Sequence, residues 1–154
     1  MKIGIEIEFT NVERNTLGIQ LAKLLNSQFE MSISGIGRFN YNEGPLKNYS
    51  LTRDRSIQSF RKNTPFGDMD YEYSNELITK VIDTNNKEDL IVLQSVLQII
   101  NDNNGMVNDT CGLHIHIDQP NLETTKQILT TIQQSHFLTL GVNQNRLDKY
   151  CKPL

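Results

Sequence analysis

Cys111-Gly112-Leu113-His114-Ile115-His116-Ile117-Asp118 is the stretch from which the rest of the chain is read. Leu113, Ile115 and Ile117 alternate with His114, His116 and Asp118, the period-2 pattern of a strand with one apolar and one polar face. Two of the three histidines in the chain fall on the polar side. Alternate side chains on one strand face lie about 6.5–7 Å apart, so the two imidazoles are spaced to share a ligand or to hold adjacent ones. A strand whose polar side simply meets water has the same pattern, so the rest of the chain must supply matching groups.

A second stretch does so. In residues 2–9, Ile3, Ile5, Ile7 and Phe9 point one way and Gly4, Glu6 and Glu8 the other, which predicts a strand with a buried face and an acidic face. Residues 70–79 predict another, with Glu72, Ser74 and Glu76 sharing one parity; a bulge would change that parity, so Glu76 is the firmer member. Between helices the pattern is less regular. Leu17, Leu21, Leu24 and Leu25 predict a helix over 16–26 capped by Asn15 or Thr16. Residues 28–34 suit a strand, whereas Gly35 to Gly67 is punctuated by glycine and proline and shows only strand fragments near 49–52 and 56–60. Arg38, Lys47, Arg53, Arg55, Arg61 and Lys62 make that middle stretch basic, fit either to meet an anion or to be solvated. The clearest helix covers 87–102, with Leu90, Leu93, Val96, Leu97 and Ile100 on one stripe, Asn85 or Asn86 as cap, and Asn103-Asn104-Gly105 as its end. A last helix starts at Pro120-Asn121.

The bulk properties narrow the function classes. With 154 residues, 37% hydrophobic and 21% charged, the chain is an ordinary globular size and mix. A net charge of −3 argues against a dedicated nucleic-acid binder. No run of apolar residues is long enough for a membrane span. The acids in Met1-Lys2-Ile3-Gly4-Ile5-Glu6 do not suit a signal peptide, so a cytoplasmic location with Cys111 and Cys151 as free thiols is expected.

Glu6, Glu8, Glu76 (with Glu72 as a weaker member), His114 and His116 therefore sit on three strands whose opposite faces are apolar. In one sheet they would converge on the face that helices leave uncovered. Packed carboxylates repel one another unless cations neutralise them, and a divalent metal does so economically. The preponderance of carboxylates favours magnesium or manganese; the imidazoles keep zinc and iron open. His136 suits a packed helical histidine, Lys80 and Lys87 suit solvated positions, and Cys111 suits a small buried residue.

Taken in order, Gly4-Ile5-Glu6-Ile7-Glu8-Phe9, Asp54-Arg55-Ser56-Ile57, Glu76-Leu77-Ile78-Thr79, Val107-Asn108-x-x-Cys111 through Asp118, and Arg146-x-x-x-Tyr150-Cys151-x-Pro153 resemble the motif set of the amidoligase enzymes. These belong to the carboxylate–amine ligase superfamily with glutamine synthetase and glutamate–cysteine ligase. The resemblance implies an α+β fold like the glutamine synthetase catalytic domain: a mainly antiparallel sheet, helices on one face, nucleotide and metals on the other. It implies metal ligation by Glu6, Glu8, Glu76 and His114, with Glu8, Glu76 and His116 at the chemistry. By the same likeness His116 and Arg146 contact the nucleotide phosphates, and Asp54 and Ser56 lie near the substrate. Arg55 stands where the family commonly has glycine.

The implied activity is ATP-dependent amide formation through an acyl phosphate, with ATP and Mg2+ (or Mn2+) as cofactors and an amino acid or peptide carboxylate and an amine as substrates. Family members continue past the Tyr-Cys-x-Pro segment. The expectation is therefore one amidoligase-like domain over 1–154, or the N-terminal portion of a larger catalytic domain, working as a homo-oligomer or with a partner subunit. Two other classes fit the residues: a zinc hydrolase or iron oxygenase built on two histidines and a carboxylate, and a binding module of the same fold without catalysis.

Overall fold

The alternation of Ile3, Ile5, Ile7 and Phe9 with small and acidic residues makes β1 (Lys2–Phe9), the strand at the heart of the sheet. A computed structural model of the chain describes residues 1–39, 44–59, 70–118 and 121–131, apart from the side chains at 70–71 and 128–131. After β1 come α1 (Arg14–Leu24), β2 (Phe29–Met31), β3 (Gly37–Phe39), β4 (Ser50–Arg53), α2 (Asp70–Tyr73), β5 (Asn75–Ile78), β6 (Ile82–Asp83), α3 (Lys87–Asp102), β7 (Leu113–Ile117) and α4 (Leu122–Thr131). The chain divides into a unit from Met1 to Asp118, which holds the sheet and α1–α3, and a unit from Gln119 onward whose described part is α4. Asn121 caps α4, its Oδ1 accepting from the Thr124 N–H at 2.8 Å. The fold class is α+β, and every described strand pairing is antiparallel.

Strand order runs β2-β3-β4-β5-β1, with β7 on the far flank of β1. Ile3 faces Ile82 on one side and Ile117 on the other, so β6 lies on the same flank of β1 as β5. The pairing register to β1 shifts by one residue between β5 and β6, as a bulge at Thr79–Val81 requires. There the Thr79 hydroxyl accepts from the Ile5 N–H at 3.0 Å while the Thr79 N–H donates to the Ile5 carbonyl at 2.9 Å.

Directly opposed residues share a face of an antiparallel pair. Leu51, Leu77 and Ile7 are thereby aligned on one side of the sheet. Leu17, Leu21 and Ala22 of α1, with Val96, Ile99 and Ile100 of α3, pack with Phe9, Phe39, Leu51 and Leu77 in a single core cluster. Two buried side chains tie the start of α1 to the start of β5: Asn75 Nδ2 donates to the Val12 carbonyl at 2.7 Å, and Arg14 Nη2 to the Ser74 carbonyl at 3.0 Å.

Several expectations are corrected. Glu13, not Asn15 or Thr16, caps α1, its carboxylate accepting from both of those backbone N–H groups; three-atom reach lets glutamate replace the shorter cap residues. Residues 70–73 are one helical turn rather than the start of a strand, which removes Glu72 from the sheet. The 56–60 fragment is not a strand over 56–59, and its last residue lies outside the described ones. On α3 the buried line is Asp89, Val96, Ile99 and Ile100, while Leu90 and Leu97 are exposed. Lys80 is held in an ion pair with Asp89 at 2.6 Å. Leu113, Ile115 and Ile117 are exposed, so the apolar face of β7 is not covered as those of its neighbours are. No helix among the described residues is long and apolar enough to cross a membrane.

Candidate metal centre on the open sheet face

The sheet face away from the core gathers the acidic and imidazole side chains. In register across it, Thr52 opposes Glu76, Glu76 opposes Glu8, and Glu6 opposes His114. Asp54 follows β4 with the parity of Ser50 and Thr52, which brings its carboxylate to the same place. Two donor groups result, each with its ligand-type atoms within 4.8 Å of one another: Glu6, Glu76 and His114 in one; Glu8, Asp54 and Glu76 in the other. Glu76 belongs to both.

Glu6 orders the imidazoles. Its Oε2 lies 3.0 Å from His114 Nδ1 and its Oε1 3.1 Å from His116 Nε2. His114 Nε2 is 3.9 Å from Glu8 Oε1. The His114 hydrogen bond holds Glu6 below the ordinary carboxylate range and raises the imidazole of His114 above its own. Glu8 is buried, and desolvation, followed by the neighbouring Asp54 charge, outweighs a backbone hydrogen bond and pushes its carboxyl up. Glu76 is raised for the same first reason, then by the charges of Glu6, Asp54 and Glu8. Carboxylates directly opposed on adjacent strands destabilise a sheet. This face therefore holds negative charge where folding alone would avoid it, the usual mark of a functional site.

Two supporting groups were not foreseen as such. The Gly112 N–H donates to Glu8 Oε2 at 2.5 Å. A Cβ at Gly112 would stand 3.1 Å from that oxygen and 3.2 Å from His114 Nε2, so glycine permits the close approach. Glycine beside a His-x-His strand was the available signal. Asp54, which the resemblance puts near the substrate, stands among the carboxylates; the strand fragment at 49–52, continued two residues further, gives it the right parity. Ser56 is exposed, and its N–H donates to Asp54 Oδ1 at 2.7 Å, so it braces Asp54 from outside the cluster. Arg55 has no positive φ, so the loop does not require glycine there. His116 is joined to the site through Glu6. Arg146 lies outside the described residues.

A family model described as "Putative amidoligase enzyme" matches residues 1–154. The chain belongs to the amidoligase family. No curated protein and no solved structure matches it. Family membership covers every strand that contributes to the open face, so its acidic rows belong to an amidoligase scaffold.

Proposed function

We propose that the open face is the metal and nucleotide-phosphate side of an ATP-dependent carboxylate–amine ligase of glutamine-synthetase-like type, acting on an amino acid or peptide. The observation that carries this is Glu76, one carboxylate common to two adjoining donor groups, as a pair of neighbouring divalent ions sharing a ligand would need. The donor set fits such ions. Carboxylate oxygens predominate, which suits Mg2+, and the imidazole nitrogen of His114 in the group with Glu6 and Glu76 also admits Mn2+. The carboxyls of Glu8 and Glu76 are raised by burial first and by neighbouring carboxylates after it, and a bound cation would offset both.

Each residue then has work that its surroundings prepare. Glu8 and Glu76 hold cations from the floor of the site, Glu8 fixed by the Gly112 N–H. Asp54 completes the inner group, braced by the Ser56 N–H, with the Ser56 hydroxyl on the substrate side. Glu6 sets both imidazoles and leaves His114 as the nitrogen ligand. His116, the outer and more exposed imidazole, is the donor to a phosphate or substrate oxygen, with Arg146 assigned to the same phosphates. When bound, ATP and its divalent ions supply the phosphoryl group and the charge neutralisation by which a substrate carboxylate becomes an acyl phosphate that an amine converts to an amide.

Calorimetric titration of ATP with and without Mg2+, on wild type and on Glu8→Gln and Glu76→Gln, tests the proposal. Mg2+-dependent binding that both substitutions abolish is expected. Tight zinc or iron binding with no nucleotide affinity would replace the ligase by a hydrolase or oxygenase.

A further inference from the structure

The register of the sheet places one more charged residue on the open face. Arg38 of β3 directly opposes Ser50 of β4, Ser50 opposes Ile78 of β5, Ile78 opposes Glu6 of β1, and Glu6 opposes His114 of β7. The five form one row on one face. Gly37 and Phe39, on either side of Arg38, are buried on the core face. The guanidinium is exposed, and among the described residues no ion pair holds it, although Glu30 is its cross-strand neighbour on β2. The row is thus polarised: a carboxylate and an imidazole at one end, a cation three strand spacings away, roughly 14 Å from Glu6, and the hydroxyl of Ser50 and the half-buried aliphatic Ile78 between.

We propose that Arg38 is the anion subsite of this face. It takes the distal oxyanion of an extended ligand whose other end lies at the carboxylate cluster and whose middle crosses Ile78 and Ser50. A guanidinium presents a planar fork of donors that matches a carboxylate or phosphate in two hydrogen bonds. The apolar step at Ile78 favours a carboxylate on an aliphatic chain over a second phosphate. Arg38 is thereby a specificity residue: it selects acids bearing a second anionic group. The inference rests on the ligase proposal for the identity of the near end, not for the anion subsite itself.

Titration of the full chain with glutarate and, separately, with Mg-ATP, on wild type, Arg38→Gln and Arg38→Lys, provides the test. Arg38→Gln is expected to weaken glutarate binding by roughly 10- to 100-fold, Arg38→Lys to weaken it less, and Mg-ATP affinity to stay at the wild-type value. Loss of Mg-ATP affinity alone would overturn the acid-selecting role and assign Arg38 to a nucleotide phosphate. Equal affinities in all three proteins, or no binding of either probe to wild type, overturns the proposal. The two proposals fail separately. Mg-ATP binding that depends on Glu8, together with glutarate binding that neither Arg38 variant changes, refutes the subsite only. Arg38-dependent glutarate binding without Mg-ATP affinity refutes the ligase only.

Discussion

Gly112 and Glu76 show how narrowly single residues set this site. Gly112 offers the inner carboxylate its backbone N–H and withholds a side chain where one would press on Glu8 Oε2 and His114 Nε2. Gly112→Ala is expected to leave the fold in place and to weaken Mn2+ binding by roughly 10-fold, the scale on which groups that orient ligands act; a Mn2+ titration that matches wild type would remove Gly112 from the site. Glu76 acts in the opposite sense on stability. Its carboxylate opposes Glu8 and Thr52 across the sheet and feels Glu6, Asp54 and Glu8 at once. Glu76→Gln keeps its shape and removes that repulsion, so the metal-free variant should melt higher than wild type by roughly 2–4 °C at neutral pH, while its divalent affinity falls. A lower melting temperature would show that Glu76 is stabilised by something other than a cation. That Glu8 and Glu76 lie on the polar faces of their strands is legible from strand parity. The convergence of Asp54 on them is not, because it depends on how β4 pairs with β5, and single-strand alternation carries no pairing information.

The same division separates the elements. β1 and α3 stand where their periodicity put them, because eight alternating residues and four turns of apolar stripe leave little ambiguity. Short elements escaped. Three residues, Gly37-Arg38-Phe39, cannot display a period, and Asp70-Tyr71-Glu72-Tyr73 alternates like a strand while forming one helical turn. The helix α1 was found but its packing was not. Gly18 of α1 and Gly37 of β3 face the ring of Phe29 from two sides, so close that a Cβ at either would overlap it, and Phe29 leans on Phe39 with ring centroids 5.0 Å apart. Two glycines far apart in sequence thus make one slot. Gly18→Ala gains about 1 kcal/mol of helix propensity and incurs an overpacking cost of about 1–3 kcal/mol; because the ring has Gly37 behind it, the cost should win. Urea unfolding of Gly18→Ala, Phe29→Leu and the double variant is expected to show the double variant more stable than the sum of the singles predicts. Additive losses would mean that the ring moves aside freely.

At the scale of the whole molecule, the acidic face ties stability to pH. Glu8 and Glu76 have carboxyls raised above the ordinary 4.5, so the fold favours their protonated forms and loses that contribution as pH rises through the raised values. His114 is raised above 6.5 by Glu6, so its contribution is complete below that pH and lost as pH rises through the folded value. Glu6 and Glu13, lowered from 4.5, and Asp89, lowered from 3.8 mainly by Lys80, work the other way: they stabilise above those values and fail only in stronger acid. Between about pH 5 and about pH 8 the first group dominates, because the second is already fully ionised. Without metal, the melting temperature should therefore fall across that interval, most steeply where His114 gives up its proton. A divalent ion competes with protons for these same atoms. Millimolar Mg2+ or Mn2+ should raise the melting temperature more at the alkaline end than at the acid end and so flatten the profile, and Glu76→Gln should lose most of that response. A metal-free profile that rises from pH 5 to pH 8, or a metal response independent of pH, would show that the clustered carboxylates are solvated surface charge and that the open face is not built around a cation.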